Sequence, residues 1–183
     1  MVTIVQKDAD VLRKTAREIP LSTIKSKKVQ KIIKEMQEGI ASRDDAVAIA
    51  APQLGYSLRM FMVSKRVFAV EEKDLEAQDV VYINPTIIKR SRKKIEADEG
   101  CLSVDQWYGK TVRSEKVTIR AYNEKGSLVE RGASGLLAQV FQHEVDHLNG
   151  ILFTDHATEL VKLPHDKEKE EAVVHMHRKP KKK

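Results

Sequence analysis

The chain has 183 residues, of which 41% are hydrophobic, and a formal net charge of +6. This length suits one domain with a buried core. The single cysteine excludes an internal disulfide framework and suits a reducing compartment. No apolar stretch approaches membrane-spanning length, and residues 1–10 contain no apolar segment of signal-peptide length. We therefore expect a soluble, cytoplasmic protein with no membrane partner.

The N-terminal third of the chain contains one predicted helix, over residues 22–41. Its apolar positions recur at helical spacing and its lysines lie opposite them. The apolar face comprises Val29, Ile32, Ile33, Met36 and Ile40.

Residues 58–122 change to short runs that are rich in β-forming residues. Asn84-Pro85 is predicted to be a turn, and residues 123–126 a hairpin connection. The predicted strands are Arg59–Val63, Val80–Asn84, Ile87–Lys89 and Val117–Tyr122.

A second helix is predicted around residues 136–148, where apolar residues recur every three or four positions and Ser134 is a candidate N-cap. Strands followed by one long helix indicate an α+β fold, with antiparallel sheets surrounding a central helix. We predict one domain over residues 1–160. We expect residues 161–183 to form a charged, basic C-terminal tail that is partly helical or disordered.

The second helix carries the sequence Gln142-His143-Glu144-Val145-Asp146-His147. Two histidines four residues apart lie on one face of a helix, so both imidazoles can bind one metal ion. The glutamate between them is placed to accept a proton from water at that metal. The alternative is a partly buried helix with two hydrogen-bonded histidines.

The segment Glu99-Gly100-Cys101-Leu102-Ser103 offers a third metal ligand, because a thiolate binds divalent transition metals well. Cys101, His143 and His147 together leave one coordination position open. The alternative is that Cys101 is a small buried hydrophobe. A metzincin-type peptidase would need a third histidine where this chain has Phe153, and the downstream glutamates 168, 170 and 171 lie in the charged tail.

The segment Ala46–Gly55 joins small residues to Pro52-Gln53, which predicts an extended strand leading into a turn that fixes the Gln53 amide. Viewed alone, the segment also fits a simple edge strand and loop.

Together, the three segments resemble the peptide deformylase family between about Ile4 and His156. The family motifs read Gly-x-Gly-x-Ala-Ala-Pro-Gln, Glu-Gly-Cys-x-Ser and Gln-His-Glu-x-Asp-His, in that order. The second and third are complete here, and the first is complete from Ala50 to Gln53.

Two departures from the family concern substrate binding. Ala46 and Ala48 replace the family's two glycines, and the second glycine lines the substrate groove and pairs its backbone with the peptide. A methyl group at Ala48 is expected to narrow that groove. Asp105 stands where many relatives have proline. These changes bear on substrate affinity and turnover, and not on the metal site.

The resemblance implies removal of the formyl group from the N-terminal formyl-methionine of newly synthesised polypeptides. It implies a metal at Cys101, His143 and His147, namely Fe2+ in the cell, with Zn2+, Ni2+ or Co2+ in purified protein. Glu144 would transfer the water proton to the leaving amine. The Gln53 amide and the Leu102 N–H would stabilise the oxyanion.

Apolar residues beside the motifs are candidates for the methionine pocket, although a plain core role is an open alternative. The substrate-binding candidates are Val47, Ala48, Val104, Leu136 and Val140. Asp146 and Glu99 are candidates for orienting a ligand or a groove residue.

Two other functions stay open from the sequence: an HExxH metallopeptidase that cleaves internal peptide bonds, and a non-catalytic, metal-stabilised peptide-binding relative. The basic tail is either a solvated tail or a site of transient ribosome contact through phosphates. The tail histidines at positions 165, 175 and 177 are assigned no metal.

Overall fold

The computed structural model of the chain describes residues 2–71 and 76–163. Three α-helices are present in this part: α1 (Lys27–Ala41), α2 (Lys65–Glu71) and α3 (Gly135–Leu148). The eight strands are β1 (Ala48–Ala50), β2 (Met60–Val63), β3 (Val80–Arg90), β4 (Lys94–Gly100), β5 (Trp107–Ser114), β6 (Lys116–Tyr122), β7 (Leu128–Ser134) and β8 (Thr158–Lys162).

The strands form two antiparallel sheets. One has five strands in the order β1-β2-β3-β6-β7, and the other has three in the order β4-β5-β8. Strand β1 is therefore an edge of the larger sheet. Mixed α and β structure with antiparallel sheets agrees with the predicted fold class. The predicted domain boundary at residue 160 falls within β8, and the predicted tail lies outside the described residues from position 164 onward.

The larger sheet is buried on both faces along β1 and β2, whereas β7 at its other edge has no buried residue. Along β2, Phe61 and Val63 belong to one core cluster, and Met60 and Met62 belong to another. Alternate residues of a strand point to opposite faces, so these two clusters lie on opposite sides of the sheet. The cluster of Phe61 also includes Phe141 of α3, and the other cluster contains the apolar face of α1.

Helix α1 begins later than predicted. Ser26 is its N-cap, and the Ser26 hydroxyl accepts a hydrogen bond from the Val29 N–H at 3.3 Å. Residues 21–23 form a separate 3-10 turn, because the extended backbone of Ser26, with a ψ of 150°, interrupts continuous helical bonding before α1 begins. The predicted apolar face is the buried face.

The predicted turn at Asn84-Pro85 was wrong, because β3 continues through it. The pairing with β6 shifts register between Ile83 and Thr86, and Asn84 has a φ of 49°. The Asn84 side chain accepts from the Ile19 N–H and donates to the Ile19 carbonyl, both at 2.8 Å. A bulge thus accommodates a proline that cannot donate to the ladder.

Helix α3 follows β7 directly, and Gly135 makes the change of direction with a left-handed φ of 58°. Ser134 occupies the N-cap position as predicted, but its side chain makes no capping hydrogen bond. The helix contacts strands of both sheets. No helix among the described residues is both long and apolar enough to pass through a lipid bilayer.

Candidate metal centre and active site

Helix α3 carries the predicted histidine pair on one face, where His147 is buried and His143 is partly buried. The rings of His143 and His147 lie with centroids 4.9 Å apart at an interplanar angle of 77°. The spacing of four residues places the imidazoles one helical turn apart, as the sequence predicted. Burial lowers the pKa of His147 well below its usual value, and the nearby His143 lowers it further. A neutral imidazole is the form that binds metal.

Cys101 reaches the histidines from the end of β4. Its Sγ lies 3.1 Å from His147 Nε2, and one ligand atom from each of Cys101, His143 and His147 falls within 4.8 Å of the other two. Tetrahedral ligands at zinc-like bond lengths stand about 3.6 Å apart, so the three donors are spaced for one ion.

Two further observations fit a cation among these donors. Burial alone would lower the pKa of His143, yet Cys101 and Glu99 raise it well above its usual value, so the surroundings favour positive charge there. The donor set of one thiolate and two imidazoles suits a divalent transition metal. The residues present therefore fit a divalent metal ion.

A buried ion-pair network contacts the face of α3 that carries the histidine pair. His143 Nδ1 lies 3.0 Å from Glu99 Oε2, which leaves Nε2 free for metal. Arg113 of β5 donates to both oxygens of Glu99 at 2.7 and 2.8 Å, and to Asp146 at 2.5 Å. Burial raises the pKa of Glu99, but Arg113 and His143 outweigh it and hold the pKa well below its usual value. Glu99 is thus an anion in the folded protein.

Sequence reasoning named Glu99 and Asp146 as orienting candidates but missed Arg113. No motif surrounds Arg113 along the chain, and β5 itself was not predicted. A signal does exist: Arg113 alternates with Thr111 and Gly109 on the buried face of β5. A buried arginine requires an acidic partner.

Glu144 projects its carboxylate into the same region. The residue is buried, it lines a cavity of about 470 Å³, and its Oε2 has no hydrogen-bond partner among the described residues. Burial raises the pKa of Glu144 to about 7, against a lowering effect of His143. Such a carboxylate is poised to exchange a proton near neutral pH.

Gln53 lies in the 3-10 turn that follows β1, and its amide orientation is fixed. Its Oε1 accepts from the Ala50 N–H at 2.8 Å, which directs Nε2 toward the cysteine segment. Nε2 donates to Ser103 Oγ at 3.2 Å and lies 3.6 Å from Cys101 Sγ. The contact with Ser103 was not predicted from the sequence. The Leu102 backbone N–H donates no hydrogen bond within the described part of the chain.

The cavity beside this centre brings the predicted substrate-binding residues together. All five line it: Val47, Ala48, Val104, Leu136 and Val140. Val104, Val140 and Ala48 are buried, whereas Val47 is 38% exposed. Helix α2 adds Val67 and Val70 to the lining; this helix was not predicted.

The chain matches the polypeptide deformylase family over residues 1–163. The chain belongs to the peptide deformylase family. It is 39% identical to a peptide deformylase of Symbiobacterium thermophilum, over 93% of this chain and 73% of that protein. It is 36% identical to peptide deformylase 2 of Clostridium acetobutylicum, over 84% of this chain and 93% of that protein.

Solved deformylase structures share the fold. A Met-Ala-Ser-bound class I type b peptide deformylase from Acinetobacter baumannii matches with a TM-score of 0.77 and 32% identity, covering 85% of this chain and 98% of that one. An actinonin complex from Synechococcus elongatus matches with a TM-score of 0.76 and 31% identity, covering 86% and 81%. Metal-dependent removal of the N-formyl group from nascent peptides is thus the activity of this chain, in preference to the peptidase and non-catalytic alternatives.

Proposed function

We propose that deformylation in this chain uses Glu144 as the proton-transfer group beside a metal held by Cys101, His143 and His147. One observation carries the assignment: Glu144 lines the cavity that Cys101 and His143 also border, and its buried Oε2 has no hydrogen-bond partner among the described residues. A buried carboxylate oxygen without a hydrogen-bond partner destabilises the folded protein. Such a group is retained where it gains a partner during function.

A bound divalent metal supplies Lewis acidity, which acidifies water and polarises the formyl oxygen. Glu144 takes the proton of the attacking water and then delivers it to the leaving amine. Its raised pKa suits both steps, because the carboxylate accepts and releases a proton near pH 7. The products are formate and a peptide with a free amino terminus.

Gln53 and Leu102 stabilise the negative charge that develops on the formyl oxygen. The Ala50 N–H holds the Gln53 amide with its donors facing the centre, and the hydrogen directed at Cys101 makes only a long contact of 3.6 Å. That hydrogen and the free Leu102 N–H are two donors from opposite walls of the cavity. Donors fixed before the reaction stabilise charge without reorganisation.

The free edge of β1 binds the peptide backbone. Ser64 N–H donates to the Val47 carbonyl, so Val47 and Ile49 direct their backbone groups toward β2. Alternation then directs the N–H and carbonyl of Ala48 toward the open edge. A peptide that adds there as a strand places the methionine side chain against Val104, Leu136 and Val140. The Met-Ala-Ser complex of the Acinetobacter baumannii relative supports a peptide ligand at this site.

We further propose Fe2+ as the metal in the cell, with Zn2+, Ni2+ or Co2+ as substitutes in purified protein, because a Cys-His-His set accepts all four. The contacts of α3 with both sheets support its interpretation as a central helix wrapped by the sheets. A cytoplasmic location, and a transient ribosome contact through the basic tail, remain proposals from the sequence.

A formate-release assay tests the function. Metal-loaded protein is expected to release formate from formyl-Met-Ala-Ser, and to leave acetyl-Met-Ala-Ser and internal peptide bonds intact. Removing the metal with a chelator should abolish formate release, and adding Fe2+ back under anaerobic conditions should restore it. Cleavage of internal bonds without formate release would support the metallopeptidase instead.

A further inference from the structure

Two charged residues from opposite walls meet at the mouth of the cavity. Arg43 lies in the loop before β1, and its carbonyl accepts from the Ala46 N–H. Asp105 lies in the loop between β4 and β5, close behind Cys101. Arg43 Nη2 stands 3.9 Å from Asp105 Oδ1, and both residues line the cavity. This pair bridges the wall that binds the peptide backbone and the wall that supplies the cysteine.

The two arginines at this mouth already donate hydrogen bonds to other groups of the protein. Arg43 donates to both oxygens of Asp45, at 3.0 and 3.2 Å. Arg66 donates to the carbonyls of Arg43 and Ala46, at 2.9 and 3.2 Å. Arg66 Nη2 also lies 3.8 Å from Oδ1 of Asp44, whose side chain is fully exposed. The hydrogen-bonding capacity of the two arginines is thus spent largely on the protein itself.

The mouth is acidic overall. Outside the metal centre and its Glu99 and Glu144 carboxylates, the charged residues that line the cavity are four aspartates and two arginines, so their net charge is −2. They are Asp44, Asp45, Asp98, Asp105, Arg43 and Arg66.

A bound peptide must pass this mouth. With its formyl group beside Gln53 and its backbone paired with Ala48, the peptide continues along the β1 edge toward Asp45. Three residues of strand span about 10 Å. The side chains of the third and fourth peptide residues therefore come close to the Arg43–Asp105 pair.

We propose that Asp105, with Arg43, selects substrates by the charge of the third and fourth residues of the formylated peptide, favouring basic over acidic side chains. This inference rests on the proposed function. A lysine at the third or fourth position is attracted by the aspartates and pairs with Asp105. A glutamate meets the same carboxylates and finds both arginines occupied. Asp105 is thus a specificity-determining residue at a position where the chain departs from its family.

The test compares kcat/KM for two peptide series, formyl-Met-Ala-X-Ala-amide and formyl-Met-Ala-Ala-X-amide, with X as Lys, Gln or Glu. The amide end removes a competing charge. We expect the order Lys, Gln, Glu in at least one series, with a Lys-to-Glu ratio on the order of fivefold at low salt, as suits partly exposed charges. High salt should reduce the ratio.

Asp105→Asn is expected to lower that ratio at least twofold. The matched control is Glu96→Gln, which removes a carboxylate paired with Lys110 outside the cavity and should leave the ratio unchanged. Because the ratio is taken within one variant, a loss common to both peptides cancels. A ratio near one, or one that Asp105→Asn leaves intact, with formate released from every peptide, overturns the charge selection alone. Absence of formate release from all of them overturns the deformylase mechanism as well.

Discussion

The two walls that hold the proposed metal are built on different principles. On one wall, His143, Glu144 and His147 are placed by the local geometry of a single helix. On the other, Cys101 and Leu102 follow the end of β4, and their position depends on residues far along the chain. Gln6, for example, donates to the Leu102 carbonyl at 3.2 Å across 96 positions of sequence. Helical spacing fixes one half of the site, and tertiary contacts fix the other half.

The largest effect is expected on the helical wall, from Glu144→Gln. The amide preserves the size of the side chain but accepts no proton, so kcat should fall by about 10²–10⁴-fold. Metal content, measured by elemental analysis after gel filtration, should stay at the wild-type level because the proposed ligands are untouched. Glu130→Gln, an exposed glutamate of β7, is the control. Full turnover with full metal occupancy would contradict the role of Glu144.

The next-largest effect is expected on the wall that carries Cys101. Cys101→Ser replaces a thiolate with a neutral hydroxyl, a much poorer ligand, so metal affinity should fall at least about tenfold and activity with it. Competition with a chromophoric chelator measures the affinity. His156→Asn provides a control, because His156 lies near the centre through Asp146 but is not a proposed ligand. Unchanged affinity in Cys101→Ser would mean that α3 alone holds the metal.

The third-largest effect is expected at Arg113, which connects the two walls. Arg113 is 7% exposed at its side chain and joins Glu99 of β4 to Asp146 of α3. Arg113→Met leaves two carboxylates without their buried partner, so the free energy of unfolding should fall by about 3–5 kcal/mol. Arg120→Met breaks an ion pair that is about half exposed, and should cost about 0–1 kcal/mol.

Chemical denaturation of both variants, with metal and without it, measures this difference. If the network also orients His143, metal affinity should fall in Arg113→Met and not in Arg120→Met. Equal losses of stability in the two variants would show that Arg113 does not connect the walls.

The elements that could be predicted from the sequence follow the same division between local spacing and tertiary contacts. The periodicity of α1 and α3 and the two core strands β2 and β6 were predictable, because their signals lie within a few consecutive residues. Strand β5 was not, since Trp107–Ser114 mixes glycine, lysine, threonine and arginine without a regular apolar pattern. Its residues are held by pairing with β4 and β8.

Prediction of the candidate site from the sequence has the same limit. The proposed metal ligands and Glu144 were predicted from compact motifs, and the structure brings them together. The contacts of Arg113 with Glu99, of Ser103 with Gln53 and of Arg43 with Asp105 join residues that are distant in sequence. Such partners are determined by sheet pairing and loop placement, which no single segment encodes.

The smallest effect is expected at Ala48, on the edge strand β1 that lies opposite the cysteine wall. Ala48 has an ordinary extended backbone, so no left-handed φ requires the glycine that its family has here. Its methyl group is buried and lines the cavity. Ala48→Gly should therefore widen the groove and improve kcat/KM for formyl-Met-Ala-Ser mainly through KM, with kcat nearly unchanged.

Glycine at position 48 should also cost about 1 kcal/mol of stability, from added backbone freedom and a lost buried methyl group. Ala121→Gly is the matched control, because Ala121 is a buried strand residue of β6 outside this cavity. It should show the loss of stability without the gain in KM. A kcat/KM that stays level or falls in Ala48→Gly would mean that the peptide-binding edge has adapted to alanine. The departure from the family at this position would then carry no penalty for substrate binding.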